Sequence, residues 1–364
     1  MKILLVRSYS FKSGQTGDAT QGRETANALV RAGVELICVY VKYQPIRIIA
    51  ENDAELTESQ VNDLIDSCDA VHFLPASIPL CRFWRKLHKK PVLGSSIFWG
   101  GLERVSVAWC TYKRFVPRLI ASVKELRNMV PFYMDYHGVD VFLPNSEAEG
   151  RRVMQCFGTD KDATYKVVPN GFVLPALDVC DLPRSTKVPQ EDYIVVPGVF
   201  ARRKNQIGLI RALNNYHRNY KVVFMGGGTW DEDYYNECQS VATDDMVFLG
   251  YVNNKEREYW QVLRHARIAC LTSDCETPGI AMIEAAYAGA RPVITKFGGT
   301  DEYYGEQGEY LNPCFSCSIV DAIDRGWRRG RLKKVEAECF ARFSWDLVAT
   351  KTKDAYQFAI ETYG

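Results

Sequence analysis

Short apolar runs alternate along this chain with longer stretches in which apolar positions return at helical spacing. The first pattern predicts strands buried on both faces, the second helices that cover them. Lys2–Val6 (KILLV) reads as a strand, followed by a loop holding Gly14 and Gly17 and a helix from about Gln21 to Ala32 that Gly33 closes. Val34–Val41, Asp69–Leu74 and Pro91–Trp99 predict further strands. Asp140–Leu143 leads to a helix capped by Ser146, and Tyr165 to Val168 runs into the turn Pro169-Asn170-Gly171. Val173–Glu191, with Pro175, Pro183 and Pro189 among several aspartates, has the composition of a linker.

The alternation then starts again. Tyr193–Gly198 predicts a strand, and a helix follows to about His217. Tyr220–Met225 with Gly226-Gly227-Gly228, and Met246–Val252, predict two more strands with a helix between them, and Lys255–His265 a helix. Ala269–Thr272, Gly279–Ala290 and Pro292–Thr295 form a strand, turn, helix, strand unit, and Phe343-Ser344 caps a last helix reaching Tyr363. Strands that alternate with helices make parallel sheets. The 364 residues suit two such domains, expected at 1–175 with 345–364 and at 192–344, joined through 176–191.

The chemistry concentrates in the second half. Glu276 lies in the turn after Ala269–Thr272 and Glu284 eight residues on, which is about 80° past two full helical turns, so both carboxylates can face one side of the helix start. The N–H groups of Gly279, Ile280 and Ala281 at that start offer an anion site. A phosphate there, with a carboxylate on polyol hydroxyls beside it, describes a nucleotide sugar. Arg202, Arg203 and Lys204 fall together at another strand-to-helix turn, where mutual repulsion is costly unless an anion sits among them.

Composition narrows the remaining choices. A net charge of +1 gives no field for nucleic acid, and 47% hydrophobic with 24% charged residues describes a soluble globular chain. MKILLVRSYS has too short an apolar run for a signal peptide, and no stretch reaches the ~18 apolar residues of a membrane span. The expectation is a cytoplasmic protein. The twelve cysteines are too sparse for a disulfide scaffold, so Cys38, Cys110 and Cys270 read as small buried hydrophobes. Cys314 and Cys317 form a lone pair without a partner pair at zinc spacing, and no metal site is expected. From Cys81 to Arg127 basic residues outnumber Glu103 and Glu125 and are interleaved with aromatics, which suits either a solvated basic face or peripheral contact with an anionic membrane surface.

The string E-T-P-G-I-A-M-I-E-A resembles the Glu-x7-Glu motif of the retaining GT-B glycosyltransferases, in particular family 4, and G-G-T-D-E-Y resembles that family's next loop. N-S-E-A-E and V-V-P-N-G are similar to what the family shows before its interdomain linker. The resemblance implies two Rossmann-like domains facing a deep interdomain cleft, with the C-terminal helix crossing back to the first. It implies a sugar moved from a nucleotide-sugar donor, UDP- or GDP-linked, to a saccharide, lipid-linked or small-molecule acceptor, with retention and without a metal. Glu276 would meet the donor sugar, Glu284 the ribose, and the Pro278 to Ala281 turn the diphosphate. Lys204 stands at the family's distance from Gly198, but Val199 replaces the family's Arg, leaving Arg202 or Arg203 to substitute. Glu276, Lys204 and Arg203 would carry catalysis. Gly14 and Gly17 would approach the donor phosphate, Leu249 to Val252 the base, and Gly298 with Gly299 the sugar or phosphate. Ser95 and Ser96 replace a family histidine, leaving His72, Ser96 and Trp99 as acceptor-side candidates. A same-fold epimerase and a non-catalytic sugar-nucleotide-binding partner remain alternatives.

Overall fold

Lys2–Arg7 is buried from Ile3 onward, which is what an apolar run covered by helices on both faces demands. The computed structural model describes residues 1–7, 17–42, 47–74, 90–96, 138–157, 163–227 and 231–364. They divide into two units, one holding the described residues up to Val173 with Phe343–Gly364, the other Leu174–Arg342.

In the first unit the strands are β1 (Lys2–Arg7), β2 (Glu35–Lys42), β3 (Arg47–Ala50), β4 (Ala70–Leu74), β5 (Val92–Ser95), β6 (Val141–Leu143) and β7 (Thr164–Tyr165). Their order is β3-β2-β1-β4-β5-β6-β7, and only β3 runs antiparallel, against β2. The helices are α1 (Gly17–Arg31), α2 (Glu58–Asp66) and α3 (Glu147–Phe157). Thr57 and Gln60 close a capping box on α2, and the Ser146 hydroxyl accepts from the Glu149 N–H at 3.1 Å to start α3 as expected. The first helix begins earlier than its apolar periodicity indicated, because its opening turn, Gly17 to Thr20, carries no large apolar residue to mark it.

The second sheet is wholly parallel, in the order β10-β9-β8-β11-β12-β13, with β8 Tyr193–Pro197, β9 Lys221–Met225, β10 Met246–Phe248, β11 Ile268–Leu271, β12 Arg291–Thr295 and β13 Glu309–Leu311. Around it lie α4 (Gln206–Asn215), α5 (Glu232–Ser240), α6 (Arg257–His265), α7 (Ile280–Tyr287), α8 (Thr300–Tyr304), α9 (Ser316–Arg329) and α10 (Lys334–Glu338). Val196, Leu213, Phe224, Cys270 and Val293 belong to its core. The α7 helix is shorter than Gly279–Ala290, since the Gly289 and Ala290 N–H groups turn back to the Ala286 and Ala285 carbonyls and end it. The proline-rich stretch before β8 is tied to this unit: Val179, Leu182 and Val188 are buried, and Lys187 pairs with Glu258 at 2.9 Å.

The last helix, α11 (Trp345–Tyr363), belongs to the first unit and packs on α1 and on β4, β5 and β6. The Phe172 N–H donates to the Phe343 carbonyl at 2.9 Å just before it, and Arg31 meets Asp346 at 2.7 Å in its first turn.

Candidate functional site

Strand order in the second sheet reverses between β8 and β11, and in such sheets the loops leaving the carboxyl ends at the reversal form the ligand crevice. Those loops are Gly198–Asn205 and Thr272–Gly279. The structure brings them together. The Asp274 N–H donates to the Arg203 carbonyl at 2.8 Å, and the Thr272 hydroxyl donates to the Asn205 carbonyl at 2.9 Å. Arg202–Lys204 forms a single 3-10 turn that ends at Asn205, whose left-handed backbone (φ 54°) an asparagine adopts more readily than most residues.

This arrangement puts the Lys204 ammonium in contact with the Glu276 carboxylate, with the side chains only 12% and 5% exposed. Glu276 also accepts from the Ser273 hydroxyl at 2.5 Å. Burial pushes the Glu276 carboxyl up, but the Lys204 charge, the nearby Arg203 charge and the two hydrogen bonds outweigh it and hold the group below its ordinary value. Its backbone is held as well, for the Glu276 N–H donates to the Phe297 carbonyl at 3.1 Å and the residue forms a parallel bridge with Gly298. Gly298 has φ 104°, and a Cβ on it would lie 1.9 Å from the Glu276 carbonyl oxygen, so only glycine permits the bridge.

Beyond Glu276 the chain turns at Gly279 (φ 75°) into α7. Among the described residues nothing accepts from the N–H groups of Gly279, Ile280 and Ala281, whereas Met282 and Ile283 donate to the Gly279 carbonyl at 2.9 and 3.3 Å. The first turn therefore offers three donors and the positive end of the helix dipole beside a buried ion pair. Further along α7, Glu284 is 2% exposed. It accepts from the Tyr259 hydroxyl and from Asn254 Nδ2, the latter at 3.2 Å. Burial raises its carboxyl to about 7 in spite of those two bonds.

Residues 181–325 match the family described as glycosyl transferases group 1. The chain carries a glycosyl transferases group 1 domain. The matched stretch contains both loops, the ion pair and Glu284, so the buried cluster lies inside the family's own part of the chain. An uncharacterized glycosyltransferase of Methanocaldococcus jannaschii is 26% identical over 237 residues, 60% of each protein. The D-rhamnosyltransferase WbpZ of Pseudomonas aeruginosa is 24% identical over 274 residues, 74% of this chain and 66% of that protein. The chain thus spans about three fifths to two thirds of the curated relatives it matches. Among solved structures, sucrose-phosphate synthase from Thermosynechococcus elongatus superposes with a TM-score of 0.72 at 16% identity, covering 99% of both chains. Anabaena HepE in complex with UDP and glucose gives 0.68 at 16% identity, covering 98% of this chain and 100% of that one. These likenesses establish the GT-B fold, with its two Rossmann-like sheets and C-terminal helix.

Within the group 1 domain the expected residues do not all converge. Lys204, Glu276, Pro278, Gly279, Ile280, Ala281 and Gly298 share one neighbourhood, and Gly299 caps α8 directly after Gly298. Arg202 stands apart: it pairs with Asp231 at 3.2 Å and Glu237 at 3.4 Å, and its guanidinium lies over the Tyr234 ring. Arg203 is exposed, forms no ion pair among the described residues, and its charge reaches Glu276. Leu249 and Val252 follow β10, with the Leu249 N–H already donated to the Phe224 carbonyl at 2.9 Å. Between them Tyr251 is 57% exposed, a candidate that composition did not single out. Tyr259, Asn254 and Ser273 were missed too. Tyr259 sits in a helix whose apolar stripe marks it as core, and only the fold reveals that its hydroxyl ends on a carboxylate.

Two aspartates separated by a single residue, Asp231 and Asp233, have the spacing of a cation-binding pair. Asp231 is already committed to the Tyr234 N–H and to Arg202, and no group of three or more metal-ligating side chains occurs among the described residues.

In the first unit, His72 corrects an expectation. It is fully buried, with Nδ1 at 2.7 Å from the Tyr356 hydroxyl and Nε2 at 2.9 Å from Ser95 Oγ, and burial lowers its pKa to about 3. Both ring nitrogens are used inside the core, so it presents nothing to an acceptor. Ser96 is buried with its carbonyl 3.5 Å from Asn145 Nδ2, and its Oγ has no hydrogen-bond partner among the described residues. Gly17 opens α1. Gly14 and Trp99 lie outside the described residues, and of the basic and aromatic stretch 81–127 only 90–96 is described. No helix among the described residues is long and apolar enough to cross a membrane.

Proposed function

We propose that this chain is a metal-independent glycosyltransferase that moves a sugar from a nucleotide-sugar donor, with retention of anomeric configuration, to a saccharide, lipid-linked or small-molecule acceptor. The observation that carries the reading is the contact of Lys204 with Glu276 beside the undonated amides of Gly279, Ile280 and Ala281. A diphosphate takes the Lys204 ammonium, the α7 amides and the Arg203 guanidinium, and Glu276, released from Lys204, accepts from donor sugar hydroxyls. Arg203 stands in for the family arginine missing at Val199, because its charge already reaches Glu276 whereas Arg202 is held by Asp231 and Glu237. Glu284 accepts from ribose hydroxyls, each of its oxygens keeping a lone pair beyond those used by Asn254 and Tyr259. Exposed Tyr251, in the chain that leaves β10, offers a ring to the base.

In mechanistic terms, departure of a nucleoside diphosphate builds negative charge on its terminal phosphate. Donors already fixed around that position stabilise the transition state without reorganising, usually the largest electrostatic contribution to rate. Two cationic side chains and three amides aimed at one diphosphate supply the compensation that a divalent ion would otherwise provide.

The names of similar proteins frame the test: HepE was solved with UDP and glucose, and WbpZ is called a D-rhamnosyltransferase. UDP-, GDP-, ADP- and dTDP-sugars are screened by thermal shift, since a ligand that binds only the folded chain raises its melting temperature. One base class is expected to bind and to support transfer, with the product anomer read by NMR. Lys204→Ala and Glu276→Ala should each lower turnover by about 10²-fold or more with the fold intact. No shift with any donor, or near-normal turnover in both variants, defeats the proposal.

A further inference from the structure

Tyr304 ends the short helix α8, six residues after Gly298, and is 1% exposed. Its hydroxyl donates to the Pro278 carbonyl at 2.9 Å, and the Gly279 carbonyl lies at 3.5 Å, too far to compete. The ring is wedged against Phe340, with centroids 5.9 Å apart. Together with the Phe297 and Gly298 contacts to Glu276, one short segment thus grips both ends of the Glu276–Gly279 turn.

The Pro278 carbonyl and the Gly279 N–H belong to the same planar trans peptide and point in opposite directions. Drawing the carbonyl inward onto Tyr304 therefore turns the Gly279 N–H outward, on the side away from the buried ring. Among the described residues the Tyr304 hydroxyl is the hydrogen-bond donor that meets this carbonyl. Glycine tolerates φ of either sign, so a half-turn of this peptide carries no steric penalty at residue 279. The hydroxyl opposes the half-turn, because rotation would strand a buried carbonyl and leave the hydroxyl only its longer approach to the Gly279 carbonyl.

We propose that Tyr304 is a positioning residue for donor binding: its hydroxyl locks the Pro278–Gly279 peptide so that the Gly279 N–H is aimed at the donor's diphosphate. The inference rests on the donor reading above and adds to it a residue outside the anion site that sets the direction of one of its donors.

Tyr304→Phe removes the hydroxyl and keeps the ring. Calorimetric titration of the full chain compares UDP, GDP, ADP and dTDP, each against its own nucleoside. For the base that binds, the variant should lose about tenfold in diphosphate affinity with nucleoside affinity unchanged, as expected for one misdirected hydrogen bond to a charged group. Phe340→Leu, which loosens the packing around the ring without touching the hydroxyl, should lower the melting temperature and leave the ratio of the two affinities as it was. Parallel weakening of diphosphate and nucleoside in Tyr304→Phe, an unchanged diphosphate affinity, or an equal fall of the ratio in Phe340→Leu overturns the inference. If the unsubstituted chain binds none of the four diphosphates, the donor reading falls and takes this inference with it.

Discussion

Replacing Lys204 by Met keeps the length of the side chain and removes its charge, leaving the Glu276 carboxylate buried with the Ser273 hydroxyl and the charge of Arg203 nearby. Breaking a buried pair from one side costs about 3–5 kcal/mol. Lys204 is 12% exposed, so the lower figure, about 3 kcal/mol, is expected near pH 8. The cost must depend on pH. In the unsubstituted chain Glu276 sits below its ordinary value of 4.5, and its contribution is present above that pH and lost as pH falls through the lower folded value. In Lys204→Met, burial is opposed by much less and the folded value moves above 4.5. The variant then loses stability as pH rises from 4.5, by up to about 1.4 kcal/mol per unit until the new value is passed. Urea unfolding followed by circular dichroism should therefore show a gap of about 3 kcal/mol at pH 8 that narrows to about 1 at pH 4.5. Adding Glu276→Gln to Lys204→Met should restore stability to within about 1 kcal/mol, because it removes the stranded charge. A gap of the same size at both pH values, or a double variant no more stable than Lys204→Met, would refute the reasoning.

Arg203→Ala should weaken nucleoside diphosphate binding about tenfold in calorimetry, whereas Arg202→Ala, which gives up exposed pairs with Asp231 and Glu237 and a contact with the Tyr234 ring, should change it less than about twofold; equal losses would mean the two arginines share the anion. Glu284, with its carboxyl near 7, should make donor affinity fall as pH drops through about 7, since protonation removes acceptor capacity, and Glu284→Gln should flatten that profile. The same group should lower folding stability by about 3 kcal/mol as pH rises from 4.5 to beyond 7, because only the folded chain holds its proton in that window; a stability profile that Glu284→Gln leaves unchanged would contradict the assignment.

Strands such as KILLV and YIVVP were legible because parallel strands covered on both faces must be apolar throughout. RIIA and EYL were not, since a four-residue antiparallel edge and a three-residue edge strand leave too little pattern to separate from a loop. In the site, residues that work through local spacing could be read: the Glu276 to Glu284 interval, the amides at the start of α7 and the cations at Arg202 to Lys204. Residues that work through contacts between elements distant in sequence could not. Tyr259 and Asn254 reach Glu284 from 25 and 30 residues away, and Tyr304 reaches Pro278 from 26. Arg202 and Arg203 are identical in type and adjacent in sequence, and they part only because α5 sets Asp231 and Glu237 against one of them.

The contact between Lys204 and Glu276 has a meaning beyond stability on the proposed reading. A cation waiting for a phosphate and a carboxylate waiting for sugar hydroxyls would each be expensive to keep buried alone. Placed against each other, they neutralise that cost in the free chain. A donor carries complements to both, an anion for the ammonium and hydroxyl donors for the carboxylate, and so exchanges one ion pair for two sets of partners without exposing either charge unpaired. Phosphate alone, or a free sugar, satisfies only one half and must strand the other. On that reading the pair would discriminate for ligands that present both groups at the spacing of a nucleotide sugar, and the selection would follow from the penalty on a half-satisfied buried charge.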